Sequence, residues 1–296
     1  MSIPFVRRDE LPYGVLETLS PLIGRVTCRN PGPFTYTGTG TYIVGGDTVA
    51  VLDPGPPDPA HLAALLRALE GRRVSHILIT HTHLDHSPLA RPLARATGAP
   101  VLAAPPPQGH DLASAEEAYD EAFQPDQLLE DGDRVSGPGW TLRTLATPGH
   151  ASNHLCFALE EENALFSGDH IMGWSTTVVA PPDGDMGAYI SSLERVMAKG
   201  FETLWPTHGP PVREVQPFLK AYLDHRLTRE TQVLERLHAG DATVAEMVPV
   251  LYAQVDRRLW PAASLSVLAH LKRLTELNQA ACDGKLSLAA RFRPLG

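Results

Sequence analysis

The chain has 296 residues, of which 43 % are hydrophobic and 20 % are charged, an ordinary composition for a globular protein with one large and one small domain. It has no run of roughly 18 apolar residues and no apolar segment in MSIPFVRRDELPYGV, so neither a transmembrane helix nor a secretory signal is expected. Cys28, Cys156 and Cys282 lie far apart, which argues against a disulfide framework or a thiolate zinc site. This cysteine usage predicts a reducing, cytoplasmic location.

The net charge of −9 is unevenly distributed. Up to Phe218 there are 14 basic and 26 acidic residues, a net charge of −12, whereas the remainder has 11 and 8, a net charge of +3. The difference is either compositional variation in a short tail or a sign that the tail contacts an anionic partner. We expect two domains, residues 1–217 and 218–296.

The first part of the chain reads as alternating strands and helices. Gly40–Gly55 predicts a hairpin, Ala60–Gly71 a helix, and Val74–Thr80 a buried strand. The segment Ser87–Gly98 predicts another helix, with Ser87 as its N-cap. Further strands and the helix MGAYISSLERVMAKG follow, so the fold class is α/β with polar motifs at strand ends.

The tail predicts three helices and a hairpin. A helix is expected from about Pro217 to Gly240, and a second begins where Thr243 and Glu246 have the spacing of a capping box. LWPAASLSVLAHLKRLTELNQAA predicts the third helix, and CDGKLSLAARFRPL has the pattern of two short strands. Three helices and a hairpin predict a small winged-helix-like α+β domain.

The stretch ITHTHLDHSP follows the predicted strand Val74–Thr80. Because side chains alternate along extended backbone, His81 and His83 point the same way, and Asp85 and His86 can turn back from the next helix. Convergent imidazoles and carboxylates are what a metal ion requires. A polar loop satisfied by hydrogen bonds is the alternative for this motif alone.

Later strand ends supply further candidates. His150 follows a strand in TPGHASNH, Asp169 follows one in LFSGDH, and His208 follows one in LWPTHGP. Each of these residues alone is weak evidence for a metal site, because a histidine in a turn is usually only solvated. Four sets of polar residues at successive strand ends of one α/β chain are difficult to obtain by chance, so the sequence predicts a metal centre.

With these residues in this order, the chain resembles the metallo-β-lactamase fold superfamily over roughly residues 15–215. The resemblance implies an αβ/βα sandwich with two metal ions at one edge. By analogy, the first ion would be held by His81, His83 and His150, and the second by Asp85, His86 and His208, with Asp169 bridging. Asp53 in AVLDPG would orient the ligands without binding metal; a simple turn aspartate is the alternative.

All seven candidate ligands supply nitrogen or oxygen, so zinc fits, as do iron, manganese and cobalt. We expect two zinc ions with Asp85 and Asp169 as catalytic carboxylates, and a metal-bound hydroxide that attacks an ester, thioester, lactone or phosphodiester. His170 and Trp174 are candidates for lining the substrate cleft. His110, in a Pro-rich loop, is another, although a solvated loop histidine is the simpler interpretation.

The combination with a winged-helix-like tail resembles the β-lactamase-like protein 2 group, whose animal member is an endoribonuclease on single-stranded RNA. The expected partner is a small-molecule substrate, with RNA as an alternative and no membrane. A mono-iron dioxygenase of the same fold is a further alternative, but the complete second ligand set argues against it. The tail's charge is compatible with RNA, although it is far below a strongly basic footprint.

Overall fold

The computed structural model describes residues 3–8, 10–107 and 118–295. In the first half, the strands and helices are β1 (Leu16–Thr18), β2 (Ile23–Thr27), β3 (Gly40–Gly45), β4 (Thr48–Leu52), α1 (Pro59–Ala68), β5 (Arg73–Leu78), α2 (Ala90–Thr97), β6 (Val101–Ala103), β7 (Gln127–Leu128), β8 (Arg134–Gly137) and β9 (Trp140–Ala146). In the second half, they are β10 (Leu155–Leu159), β11 (Ala164–Gly168), α3 (Met186–Met197), β12 (Thr203–Pro206), α4 (Val215–His238), α5 (Val244–Leu251), α6 (Trp260–Glu276), β13 (Ala280–Asp283) and β14 (Arg291–Pro294).

The part of the chain from β1 to the first turns of α4 is a four-layer sandwich. One sheet has the strand order β1-β2-β3-β4-β5-β6-β7 and the other β12-β11-β10-β9-β8. Apolar side chains such as Tyr42, Phe157 and Phe166 fill the space between the two sheets. The helices α1 and α2 cover the outer face of the first sheet, and α3 and α4 cover that of the second. The predicted αβ/βα sandwich is therefore confirmed.

Local sequence explains where the helices begin. Asp58 caps α1 by accepting a hydrogen bond from the Ala60 amide (2.8 Å), and Pro59 occupies the first turn. Asp185 caps α3 in the same way, from the Ala188 amide (2.7 Å). The expectation for α2 was wrong: its N-cap is Leu89 without a side-chain bond, and the Ser87 hydroxyl instead donates to Asp120 (3.1 Å).

The tail has the predicted winged-helix architecture. The helices α4, α5 and α6 enclose a separate core that includes Val233, Met247 and Leu271, and β13 pairs antiparallel with β14. The capping box predicted at Thr243 and Glu246 is present at the beginning of α5. The helix α4 is continuous through residue 217, so its first turns pack on the sandwich and its last turns on the tail.

The candidate ligands are brought together by the way the two sheets end. β5 of the first sheet is followed by the ITHTHLDHSP loop, and β9, β11 and β12 of the second are followed by His150, Asp169 and His208. These ends meet at one edge of the sandwich. In the part of the chain that the structure describes, no helix is long and apolar enough to cross a membrane.

Candidate metal centre

Six of the seven predicted ligands are buried and the seventh, Asp85, is half-buried. Their ligand atoms form groups in which all atoms lie within 4.8 Å of one another. The groups are His81, His83 and His150; His81, His86 and Asp169; and Asp85, His86 and His208. The first and the last group share no residue, and Asp169 lies between them.

The first group consists of three imidazoles that point inward. The Nδ1 atom of His83 lies 2.8 Å from Nε2 of His81 and 3.2 Å from Nε2 of His150. The outer nitrogens are held by the protein: Nδ1 of His81 lies 3.0 Å from the Thr80 hydroxyl, and Nδ1 of His150 lies 2.7 Å from the Val178 carbonyl oxygen. This arrangement fixes which nitrogen faces the centre, as the partners of metal-binding histidines do.

The second group combines imidazoles with carboxylates. Nε2 of His208 lies 3.1 Å from Asp85 and 3.4 Å from Asp169, and Nε2 of His86 lies 3.6 Å from both. Nδ1 of His208 faces the Gly38 carbonyl oxygen at 3.2 Å. The Nε2 atoms of His86 and His208 and one carboxylate oxygen of Asp169 are buried without a hydrogen-bond partner among the described residues. Because leaving such atoms unpaired is costly, they fit the role of metal ligands.

Asp53 connects the elements that carry the ligands. Its carboxylate accepts hydrogen bonds from the amide and hydroxyl of Thr80 (2.8 Å each) and from the hydroxyl of Thr207 (3.0 Å), and it lies 2.9 Å from Nδ1 of His86. Its backbone has a φ of 48°, in the left-handed region where aspartate is one of the better tolerated residues. These contacts are those expected of a residue that orients ligands and does not itself bind metal.

The electrostatics of the second group favour bound positive charge. Burial alone would lower the pKa of His86 and His208, but the neighbouring carboxylates outweigh it, raising that of His208 to about 10 and that of His86 well above its usual value. Burial alone would raise the pKa of Asp85 and Asp169, but the charges of these imidazoles outweigh it and lower both values. Divalent cations would supply the same compensation and displace the protons.

The first group differs in its charge. Burial lowers the pKa of both His81 and His83 well below the usual value, and neighbouring imidazoles such as His86 and His150 lower it further. These two rings are therefore neutral near pH 7. A neutral imidazole is the form of histidine that binds a metal ion.

The two predicted cleft residues lie in different surroundings. Trp174 stacks on Tyr36, with ring centroids 4.9 Å apart, and borders a cavity beside the metal centre. His170 is fully buried against Tyr189, with ring centroids 4.9 Å apart, and burial lowers its pKa to about 3. Their roles toward a substrate stay predictions. His110 lies outside the described residues.

Sequence reasoning missed several residues that support the ligands. Thr80 and Thr207 both bind Asp53, and each directly precedes a candidate ligand, in ITH and PTH. That repeated threonine was a usable signal. Tyr119 packs edge-on against His83, with ring centroids 4.5 Å apart, and its hydroxyl donates to Asp183 (2.5 Å). No motif around Tyr119 could have placed it there.

Comparison with known proteins identifies the class. Residues 36–208 match the family described as the metallo-beta-lactamase superfamily, and residues 243–287 match the beta-lactamase associated winged helix domain. The chain therefore belongs to the metallo-beta-lactamase superfamily and is a metal-dependent hydrolase with a C-terminal winged-helix domain.

Individual relatives agree with this assignment. The chain is 31 % identical to the beta-lactamase-like protein 2 homolog of Caenorhabditis elegans, over 88 % of this chain and 86 % of that one. It is 33 % identical to an atrochrysone carboxyl ACP thioesterase of Aspergillus fumigatus, over 81 % of this chain and 76 % of that one. A beta-lactamase domain protein from Burkholderia ambifaria has the same fold, with a TM-score of 0.79 and 22 % identity over 97 % of this chain and 95 % of that one.

Proposed function

We propose that the protein hydrolyses a thioester or a related ester or lactone, using two divalent metal ions of which zinc is the expected species. The observation that carries this proposal is the pair of ligand groups, His81, His83 and His150 on one side and Asp85, His86 and His208 on the other, with Asp169 between them. Two separate ligand sets with a shared carboxylate support a two-metal centre.

The chain's own residues prepare the site for this reaction. Bound ions would supply a water of lowered pKa, about 7 for zinc, and would polarise the scissile carbonyl oxygen. Val178, Gly38 and Asp53 hold the outer nitrogens of His150, His208 and His86, so the ligand geometry is set by the fold. Asp85 and Asp169 place negative charge where the ions would lie.

The choice of a thioester has two supports. One relative is named as an ACP thioesterase, which makes this bond the first candidate. In addition, the catalytic part of the chain carries a net charge of −12, which disfavours a polyanionic substrate but not a neutral scissile group. Cleavage of single-stranded RNA is the second candidate, favoured by the winged-helix tail with its net charge of +3.

The test combines metal analysis with a substrate panel. We expect close to two metal ions per chain, and release of free thiol from acyl thioesters. The double variant His81→Ala with His83→Ala should lose most of the metal of the first group and nearly all turnover. His238→Ala, at the exposed end of α4, is the matched control and should behave as the wild type.

Two results would contradict the proposal. One ion or none, in protein prepared with ample zinc, would exclude a two-metal centre. Turnover that requires iron and consumes dioxygen would favour the dioxygenase alternative.

We also propose a cytoplasmic location, because all three cysteines are unpaired and Cys28 and Cys156 are buried. Cell fractionation with an antibody to the chain tests this. Recovery in an oxidising compartment would contradict it.

A further inference from the structure

A cavity of about 490 Å³ lies between the catalytic sandwich and the tail. Its walls come from five parts of the chain: the N-terminal segment at Ile3 and Phe5, the loop after β2 at Pro33 and Phe34, the segment 172–178 after Asp169, one face of α4, and residues between Tyr252 and Ser266. This volume is within the range of small-molecule sites. No single element forms the cavity, so it exists only when the tail is docked.

The cavity directly adjoins the metal centre, because they share one wall. Thr177 and Val178 line the cavity, and the same residues contact the ligands. The Thr177 hydroxyl donates to the backbone carbonyl oxygen of Asp169 (2.8 Å), and the Val178 carbonyl oxygen lies 2.7 Å from Nδ1 of His150. Trp174 lines the cavity beside Gly209, the residue after His208.

Much of the lining is apolar, and two cations stand out against it. The apolar lining includes Phe5, Phe34, Met172, Val178, Val255 and Leu259. Arg226 is 4 % exposed; its guanidinium donates to the Thr177 carbonyl oxygen and lies over the ring of Tyr189 at 4.9 Å. Arg229, one turn further along α4, donates to the Leu251 carbonyl oxygen (2.9 Å) and lies over the ring of Tyr252 at 4.3 Å.

Among the described residues, no carboxylate forms an ion pair with the guanidinium of Arg226 or Arg229. The Nε atoms of Arg226 and Arg229 are buried without a hydrogen-bond partner in the described part of the chain. None of the described residues that line the cavity is acidic. Burial together with the charges of Arg226 and Arg229 lowers the pKa of the neighbouring His225 to about 4. A buried cation without a counterion creates a site for an anion.

We propose that this cavity binds the acyl part of the substrate, and that the acyl group is apolar and carries a carboxylate remote from the scissile bond. The apolar walls remove the hydrocarbon from water, and Arg226 and Arg229 bind the carboxylate. The reaction at the adjacent metal centre rests on the proposed function, whereas the binding does not and can be measured without it.

Binding is measured by calorimetry on the full-length protein treated with a chelator, so that a carboxylate cannot bind to metal. The probes are octanoate and 1-octanol, which share a chain length and differ in charge. We expect octanoate to bind about tenfold more tightly than 1-octanol, a difference of about 1.4 kcal/mol. Equal affinity for the two probes, or no binding of octanoate, would overturn the proposal.

Two pairs of variants locate the site. Ala262→Phe fills the cavity from α6 and should weaken octanoate binding at least about tenfold, whereas Ser264→Phe adds the same ring two residues along, outside the lining, and should leave it unchanged. Arg229→Gln should reduce the preference for octanoate, since only Arg226 then remains to bind the carboxylate, and Arg229→Lys, which retains the charge, should preserve much of it. Unchanged binding in Ala262→Phe, or an unchanged preference in Arg229→Gln, would overturn the proposal.

The metal-loaded enzyme distinguishes this proposal from the proposed function. Ala262→Phe should reduce kcat/KM for a suberic acid monothioester, whose acyl chain ends in a free carboxylate, while leaving that for an acetyl thioester unchanged, since the short acyl group does not fill the cavity. Octanoate binding without turnover of any thioester, ester or lactone would refute the proposed function but not the binding of an acyl group in the cavity. Turnover with equal loss for both substrates in Ala262→Phe would refute the cavity as an acyl site.

Discussion

At the scale of single residues, the site is organised around Asp53. Its carboxylate contacts Thr80 after β5, Thr207 after β12 and the ring of His86, so one side chain links the two sheets at the metal centre. Residues that orient ligands in this way typically change metal affinity or activity by about 10–100-fold when they are mutated. Asp169, which would contact both ions of a two-metal centre, should affect metal binding and activity more strongly than Asp53.

This difference gives a first prediction. Asp169→Ala should lose most bound metal and nearly all turnover, because the carboxylate lies between the two ligand groups. Asp53→Ala should reduce turnover by about 10–100-fold and retain more metal. Elemental analysis and initial rates measure both effects, and Asp47→Ala, in the exposed β3–β4 turn, is the control. Wild-type metal content and turnover in Asp169→Ala would contradict the bridging role.

The sequence predicted the seven candidate ligands because polar residues follow four predicted strands, and because their order resembles that of the metallo-β-lactamase fold superfamily. It could not predict what holds their outer nitrogens, since the partners of His208 and His150 are the backbone carbonyls of Gly38 and Val178. Backbone groups have no residue-specific signal, and loop paths decide where they point. The sequence could not predict the cavity either, because its lining residues are as far apart in the sequence as Phe34 and Ser266.

At the scale of elements, the tail shows how far periodicity can be trusted. Leucines recur every three residues from Leu265 to Leu277, yet only Leu268, Leu271 and Leu274 are fully buried, and Leu277 is 47 % exposed. Because an α-helix has 3.6 residues per turn, leucines spaced three residues apart form a stripe that rotates around the helix by about 60° at each step. The stripe therefore leaves the core at both ends of α6, as geometry requires.

The capping box of α5 gives a second prediction. The Thr243 hydroxyl accepts a hydrogen bond from the Glu246 amide (3.3 Å), and Glu246 accepts one from the Thr243 amide (2.9 Å). Thr243→Ala should lower the free energy of unfolding by about 1 kcal/mol. Urea unfolding followed by circular dichroism measures it. Thr231→Ala, at an exposed position within α4, should change it by less than about 0.5 kcal/mol; equal effects would argue against the cap.

At the scale of the whole molecule, α4 belongs to both domains. Phe218 and Tyr222 are part of the core against the second sheet, whereas Val233 and Leu237 are part of the tail's core. Chains ending at residue 217 and at residue 241 should therefore differ in their tendency to aggregate. The shorter one loses Phe218, Leu219 and Tyr222 from the catalytic core and should aggregate more, as measured by size-exclusion chromatography. A monodisperse, fully active chain of residues 1–217 would show that α4 is dispensable.

The division of charge gives a fourth prediction. Phosphate contacts release counterions, so affinity for a single-stranded RNA should fall steeply between about 0.05 and 0.2 M salt. Thioester turnover should change little, because a neutral scissile group makes no such contacts. Fluorescence anisotropy with a labelled oligonucleotide and rates of thiol release measure the two effects. Rapid RNA cleavage at about 0.2 M salt, without turnover of any thioester, ester or lactone, would make RNA cleavage the first candidate function.

Because α4 is continuous between the two domains, it limits the changes in helix length that the protein can tolerate. Each residue of a helix adds a rise of about 1.5 Å and a rotation of about 100°. One residue inserted between Tyr222 and Arg226 would turn both arginines away from the cavity and misalign the tail with the sandwich, although every side chain in both cores would be unchanged. We expect this helix to accept substitutions at exposed positions such as Thr231 but no insertion of a single residue, and thermal unfolding of the two kinds of variant would show the difference.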